Sequence, residues 1–191
     1  MQLIFIRHGQ GEHTLNIPQS LHSFDPKLTN NGVNQAHLLK KLFPLTNQDI
    51  IIISPLRRTL QTALIWSGEI KCHKIASPLV SPRMFPQKAN CKTLPCDEVL
   101  DKETIKTDFP DFQIEEGLSV DLWKYGINTL TEEEFNGLAG NFIRWCKKQD
   151  SKRIFIVSHD GTITSYRQYI SGKKLTRDDF PKETEWIKIE C

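Results

Sequence analysis

The chain lacks the features of a membrane protein or of a nucleic-acid-binding protein. Its longest apolar runs are far shorter than the roughly 20 residues that a membrane-spanning helix needs. The N-terminus leads directly into a short apolar run, so we expect no signal peptide. The 25 Lys and Arg residues are balanced by 23 Asp and Glu, and a formal charge of +2 is too small for a nucleic-acid-binding face. We therefore expect neither a membrane partner nor a nucleic-acid partner.

Paired cysteine motifs and clusters of metal ligands are also missing from the sequence. The five cysteines are an odd number without CxxC spacing, which predicts reduced thiols and a cytoplasmic location. Cys91 and Cys96 could form a disulfide or half of a metal site, but companion ligands are missing nearby and we expect neither. We expect no metal ion and no cofactor. Because repeats, low-complexity tracts and linkers are missing too, the sequence predicts a single domain over residues 1–191.

Three short apolar runs each end in a cluster of chemically active residues. Leu3–Ile6 leads into Arg7-His8-Gly9, Ile50–Ile53 into Ser54-Pro55-Leu56-Arg57-Arg58, and Ile154–Val157 into Ser158-His159-Asp160-Gly161. Such runs are typical of buried parallel strands, and ligands in these sheets bind beyond the carboxyl ends of the strands. Taken alone, His8 and Arg7 are equally well read as a strand-end histidine and a surface charge. Together, the three clusters predict a cationic pocket of phosphate size, in which neutral imidazole can attack phosphorus.

The rest of the pattern predicts alternating strands and helices. The predicted helices run from about Asn30 to Pro44, from the Ser54-Pro55 cap to Gly68, from the Thr131–Glu134 capping box onward, and from about Thr162 to Ile170; the predicted strands include Ile75–Ser81 and a weak edge strand at Thr184–Ile189. This alternation predicts an α/β fold with three layers, in which helices flank a mainly parallel sheet. Between about 82 and 130 the pattern dissolves, and we interpret this segment as an insertion that covers the site. An ordinary surface excursion is the alternative.

Four segments, taken in order, resemble the motifs of the histidine phosphatase superfamily, also called the phosphoglycerate mutase-like family. They are Arg7-His8-Gly9, the stretch from Asp25 to Ala36, the stretch from Ser54 to Ala63, and Ser158-His159-Asp160-Gly161. Gln10-Gly11, the stretch from Leu94 to Asp97, and Phe109-Pro110 look most like the plant and fungal phosphoglycerate mutase-like group. The resemblance implies a phosphohistidine on His8, which water later hydrolyses. It also implies that Arg7, Arg57 and His159 hold the phosphoryl oxygens, whereas we expect Arg58 to point to solvent or to the substrate rim.

Substrate contacts are expected from the loop that follows His8. Gly9 allows the close approach of a ligand, and Gln10 and Glu12 belong to the same loop. Glu12 is either the partner of an arginine or a solvated charge. Thr14 occupies the position at which the family usually carries an asparagine that touches the phosphate, so this contact departs from the family pattern.

The general acid departs from the family pattern as well. Much of the family has a glutamate after an arginine that follows the third strand, but here Met84 follows Arg83. We expect Asp160 to take this role, with Asp97 second and the neighbouring Glu98 third. An N-cap of the following helix is the alternative for Asp160.

These observations favour a phosphatase that acts on a small phosphorylated substrate. Two alternatives stay open. One is a mutase that moves phosphate within a sugar acid, and the other is a degraded member that binds a phosphorylated ligand without turnover.

Overall fold

The computed structural model describes residues 1–190, and its centre is a sheet of six strands. The strands are β1 (Gln2–Arg7), β2 (Ile50–Ile53), β3 (His73–Ala76), β4 (Gln113–Ile114), β5 (Arg153–Ser158) and β6 (Trp186–Glu190). Their spatial order is β4-β3-β2-β5-β1-β6. The first five of these pair in parallel, and β6 lies antiparallel to β1 at the edge of the sheet. The predicted mainly parallel sheet and the predicted edge strand are both confirmed.

Within residues 1–190, six α-helices accompany the sheet. They are α1 (Asn30–Leu42), α2 (Arg57–Ser67), α3 (Lys102–Asp108), α4 (Val120–Tyr125), α5 (Glu132–Lys147) and α6 (Asp160–Ser171). Four of them (α1, α3, α4 and α5) begin at a capping side chain. The Thr29 hydroxyl caps α1, and Thr131 and Glu134 form the predicted capping box of α5. No helix within residues 1–190 is long and apolar enough to cross a membrane.

Alternation along the strands divides the core between the two faces of the sheet. On one face, Leu3 and Phe5 of β1 pack in a cluster with residues of α5 and α6. On the other face, Ile4 and Ile6 belong to a cluster with residues of α1 and α2. Because successive side chains of a strand point to opposite faces, a continuous apolar run such as β1 needs helices on both sides. The result is the predicted three-layer α/β fold.

Several predicted boundaries differ from those of the structure, including those of the third strand, α2 and α6. The third strand ends at Ala76, because Ser77 caps a 3-10 turn over Pro78–Val80. Helix α2 begins at Arg57 rather than Pro55, since the Ser54 hydroxyl contacts His159 instead of capping the helix. Helix α6 begins two residues before the predicted start, at Asp160.

The segment from 82 to 130 contains ordered elements that the sequence pattern did not resolve. It includes a 3-10 turn over Pro95–Asp97, the helices α3 and α4, and the short strand β4, which extends the sheet. Within this segment the Cys96 carbonyl and the Asp97 carboxylate both contact Arg58. These contacts bring part of the segment to the carboxyl edge of the sheet.

Candidate active site

His8 lies at the carboxyl end of β1 and is buried. Its Nδ1 is 2.6 Å from the carbonyl oxygen of Gly9. Because a carbonyl only accepts hydrogen bonds, Nδ1 carries the proton and Nε2 keeps its lone pair. Burial, followed by the charge of Arg58, holds the pKa of His8 well below its usual value. The ring is therefore a neutral imidazole whose Nε2 is unprotonated.

The backbone around His8 is fixed by two helices. The Gly9 amide donates to the Thr62 hydroxyl of α2 at 3.1 Å. A side chain at Gly9 would collide with α1, because a Cβ atom there would lie 2.6 Å from the Gly32 carbonyl oxygen. This close approach holds the His8-Gly9 peptide in one position.

Arg58 is the arginine that enters the pocket, so the expectation that it points to solvent is wrong. Its side chain is 1% exposed. Its Nε donates to His8 Nε2 at 3.3 Å, and one Nη nitrogen lies 2.8 Å from an Asp97 carboxylate oxygen. Thr62, four residues further along α2, contacts the Gly9 amide, and residues four apart share a helix face. Arg58 therefore faces β1.

Arg57 lies beside this pocket rather than in it, contrary to its expected place on the phosphoryl group. Its Nε forms an ion pair with Asp25, and its Nη1 lies 2.8 Å from Asp108. On the same face of α2, Gln61 accepts a hydrogen bond from the Leu28 amide. This face of α2 is directed toward the chain segment that precedes α1. The carboxylates of Asp25 and Asp108 both bind the Arg57 guanidinium.

His159 stands beside His8, and their ring centroids are 5.0 Å apart. Its Nδ1 is 3.3 Å from an Nη nitrogen of Arg58, and its Nε2 is 2.8 Å from the Ser54 hydroxyl. Because a guanidinium only donates, Nδ1 accepts and Nε2–H donates to Ser54. Burial and then Arg58 hold the pKa of His159 well below its usual value. Ser54 thus orients His159 and does not cap α2 as the sequence suggested.

Arg7 and Asp160 form an ion pair at the other side of the pocket. Arg7 Nη2 lies 3.0 Å from Asp160 Oδ2, and Arg7 Nη1 donates to the Pro181 carbonyl at 2.9 Å. Arg7 Nε is buried without a hydrogen-bond partner. Asp160 Oδ1 accepts from the Gly161 amide at 2.6 Å. The N-cap of α6 is His159, and Asp160 is the first residue of the helix, so the proposed N-cap role for Asp160 is wrong.

Asp97 is the carboxyl group that the insertion brings to Arg58. Burial, which outweighs the opposing effect of Arg58, raises the pKa of Asp97. Glu98, the third candidate for the general acid, is exposed. Arg83 turns away from the pocket and donates to the Ile127 carbonyl at 3.1 Å. Met84 beside it offers no group that can donate a proton.

The loop residues predicted to touch substrate form hydrogen bonds within the protein instead, to the same loop or to the segment that precedes α1. The Gln10 amide oxygen accepts from the Thr29 hydroxyl at 2.9 Å. Glu12 is exposed and accepts from the Lys27 amide at 3.1 Å. The Thr14 hydroxyl donates to the Gly11 carbonyl at 2.8 Å. Their side chains hold the conformation of the loop that follows His8.

His13 reaches the pocket, although the sequence analysis did not assign it a role. Its ring centroid is 5.6 Å from that of His8. The signal that could have found it is a second histidine five residues after the first, within the same loop. Among residues 1–190, no three His, Cys, Asp or Glu side chains are grouped so that they could hold a metal ion.

The chain is similar in sequence to members of a known protein family. The family model of the histidine phosphatase superfamily (branch 1) matches residues 3–81. Phosphoglycerate mutase-like protein 1 of Arabidopsis thaliana is 27% identical, over 84% of this chain and 68% of that protein. A second phosphoglycerate mutase-like protein of Arabidopsis thaliana is 29% identical, over 97% of this chain and 80% of that protein.

Solved structures share the fold. The α-ribazole phosphatase from Shigella flexneri has a TM-score of 0.64 at 22% identity, over 100% of this chain and 90% of that chain. The ecdysone phosphate phosphatase from Bombix mori has a TM-score of 0.67 at 13% identity, over 100% and 89%. The matched segment, the two plant relatives and the shared fold confirm the family resemblance and the plant phosphoglycerate mutase-like grouping. The chain thus resembles the histidine phosphatase superfamily in the sequence of residues 3–81 and in its fold.

Proposed function

We propose that this protein is a phosphatase that hydrolyses a small phosphomonoester through a phosphohistidine on His8. The observation that carries the proposal is the Nδ1 contact with the Gly9 carbonyl at 2.6 Å, which leaves the Nε2 lone pair of a neutral ring available. Arg58 and His159 lie next to that nitrogen. Several solved structures with this fold are named as phosphatases, including a phosphoserine phosphatase from Entamoeba histolytica with a TM-score of 0.60.

In the first step, His8 Nε2 attacks phosphorus, an N–P bond forms and the P–O bond to the alcohol breaks. In the free protein, Arg58 Nε donates a hydrogen bond to His8 Nε2. A phosphoryl oxygen is a stronger acceptor than this nitrogen, so bound substrate accepts the hydrogen bond from Arg58 instead. The unpartnered Nε of Arg7 is a second donor for the phosphoryl group. The two guanidinium groups neutralise charge as the transfer proceeds. In the second step, water attacks phosphorus and the N–P bond breaks.

The leaving oxygen takes its proton from Asp97 in this proposal. Its pKa is raised by burial, so a larger share of the carboxyl is protonated at a given pH than for an exposed aspartate. Asp160 is the less suitable acid, because one of its oxygens binds Arg7 and the other binds the Gly161 amide. In the second step the Asp97 carboxylate accepts a proton from the attacking water.

The nucleophile is tested by replacing His8 with alanine. The wild-type protein, quenched rapidly during turnover of p-nitrophenyl phosphate, should carry an acid-labile and alkali-stable phosphate that is missing from His8→Ala. Turnover should be abolished while the fold, measured by circular dichroism, is retained. His22→Ala is the matched control, because His22 is an exposed histidine in a nearby loop. Full activity in His8→Ala would overturn the mechanism.

The general acid is tested with Asp97→Asn and Asp160→Asn on an alkyl phosphate and on p-nitrophenyl phosphate. A phenolate leaves without protonation, whereas an alkoxide does not, so loss of the acid slows the alkyl substrate far more. We expect this difference in Asp97→Asn. The same difference in Asp160→Asn alone would assign the role to Asp160 instead.

Phosphoryl transfer within a sugar acid is the second candidate function, because both plant relatives are named phosphoglycerate mutase-like. Incubation with a panel of phosphorylated metabolites separates the candidates. Release of inorganic phosphate supports the phosphatase, whereas transfer without release supports the mutase. Tight binding without turnover supports a degraded ligand-binding member.

We also propose a cytoplasmic location, supported by the free thiols of Cys91 and Cys96.

A further inference from the structure

A third histidine lines the pocket that holds His8 and His159. The His13 ring centroid is 5.6 Å from that of His8, with the two planes inclined at 54°. His8 is in turn 5.0 Å from His159. His13 Nδ1 is buried and has no hydrogen-bond partner.

The loop holds this ring against Arg58. At Gly11, a Cβ atom would lie 2.6 Å from His13 Nδ1 and 3.1 Å from Arg58 Cδ, so the imidazole and the arginine stem approach the same backbone atom. The Ser20 hydroxyl donates to the His13 carbonyl at 2.7 Å. The Thr14 amide donates to the Gly11 carbonyl at 3.0 Å. The backbone on both sides of the ring is therefore fixed before any ligand arrives.

An unpartnered imidazole nitrogen is costly in a buried position, because desolvation is not compensated by a hydrogen bond. A ligand that supplies the missing partner removes this cost. Burial, then Arg58 and Arg7, lower the pKa of His13 to about 3. The free protein therefore presents a neutral ring with one N–H donor, within the electrostatic influence of Arg58 and Arg7, whose guanidinium groups attract an anion. The neighbouring Thr14 hydroxyl is engaged with the Gly11 carbonyl and is not available to a ligand.

We propose that His13 is a substrate-binding residue whose imidazole N–H donates a hydrogen bond to an oxygen of the bound phosphoryl group. This proposal rests on the proposed function, since it assumes that the pocket between Arg7 and Arg58 binds phosphate. It gives the loop after His8 a direct contact with substrate, through a residue outside the set that the motifs predict.

The test compares His13→Phe, which keeps an aromatic ring without a donor, with His13→Asn, which keeps a donor. His22→Phe is the control, because it makes the same change at an exposed histidine. Inorganic phosphate is titrated into each protein by calorimetry, and turnover of p-nitrophenyl phosphate gives KM and kcat. A hydrogen bond to a charged group is worth about 1.5–3 kcal/mol, so His13→Phe should raise the Kd for phosphate and KM by about 10- to 100-fold. His13→Asn should recover most of the affinity.

A second readout separates contact with phosphate from a role in loop structure. In the wild-type protein, phosphate should shift the 15N signals of the His13 ring, assigned by their loss in His13→Asn. If His13→Phe binds phosphate as tightly as the wild type, or if phosphate leaves the His13 ring signals unchanged, the inference is wrong. If the wild type binds phosphate through His13 but hydrolyses no phosphomonoester, the proposed catalytic function fails and the binding role of His13 stands.

Discussion

Replacing the two adjacent arginines one at a time should separate a residue of the pocket from its neighbour. Arg58 is 1% exposed and contacts His8, Asp97 and His159. Arg57 is 17% exposed and contacts two carboxylates outside this group. Arg58→Ala should therefore remove catalysis, whereas Arg57→Ala should mainly loosen surface contacts.

The structure sets the expected size of each effect. Loss of one preorganised donor to a developing charge costs about 100- to 1000-fold in kcat, and loss of an arginine on a transferring phosphoryl group costs about 1000-fold or more. We expect at least a 1000-fold fall in kcat for Arg58→Ala. Since its partner Asp97 is 26% exposed, the lost ion pair should cost about 1–3 kcal/mol of unfolding free energy, less than a fully buried pair. Arg57→Ala should lose less than tenfold in kcat and about 0.5–1 kcal/mol.

The assay is steady-state hydrolysis of p-nitrophenyl phosphate, with denaturant unfolding to record the stability of each variant. Arg58→Lys separates charge from geometry, because lysine keeps the charge but lacks the planar fork that reaches several acceptors. It should recover only part of the lost rate. A larger fall in kcat for Arg57→Ala than for Arg58→Ala would refute the assignment of Arg58 to the pocket.

Three further predictions follow from the same geometry. Chelation with EDTA should leave the rate within twofold, because guanidinium groups supply the positive charge; loss of activity that a divalent ion restores would contradict this. Gly161→Ala should destabilise the fold by about 1–3 kcal/mol in denaturant unfolding, because its Cβ would lie 2.1 Å from the Arg83 carbonyl oxygen. Gly137→Ala is the control and should not destabilise the fold, because a Cβ there would meet no neighbouring residue within 4 Å. Because the pKa values of His8 and His159 are lowered well below the usual 6.5, neither ring gains a proton as pH falls through 6.5. After correction for substrate ionisation, kcat/KM should stay level as pH falls through 6.5, and an acid limb centred there would count against neutral rings.

The chain sequence alone predicted much of the fold. Continuous apolar runs such as Ile50–Ile53 predicted strands buried on both faces, and the structure confirms them. The capping box at Thr131 and the stop at Gly68 also marked helix ends that the structure shows. These predictions succeeded because they depend on interactions within a few residues of each other, namely side-chain periodicity, capping hydrogen bonds and backbone geometry.

Motif order along the chain also located His8 and His159, and the structure places their rings side by side at the carboxyl ends of β1 and β5. Parallel pairing of two strands in register brings the residues after them together, so this proximity follows once the strands are recognised. Strand pairing does not determine which of two adjacent side chains points into the pocket.

Only the tertiary structure decided which neighbour faces the pocket. The motif assigned Arg57 rather than its neighbour Arg58 to the phosphoryl group, but the orientation of α2 against β1 directs Arg58 into the pocket. Ser54 precedes a proline as a helix cap would, yet its hydroxyl accepts a hydrogen bond from His159, which lies 105 residues further along the chain. Asp97 and His13 lie in segments outside the main strands and helices. The positions of these segments depend on contacts with other parts of the protein, such as that of Asp97 with Arg58. Local sequence determines strands, helices and caps, whereas the direction of a side chain at a site depends on how separate elements pack.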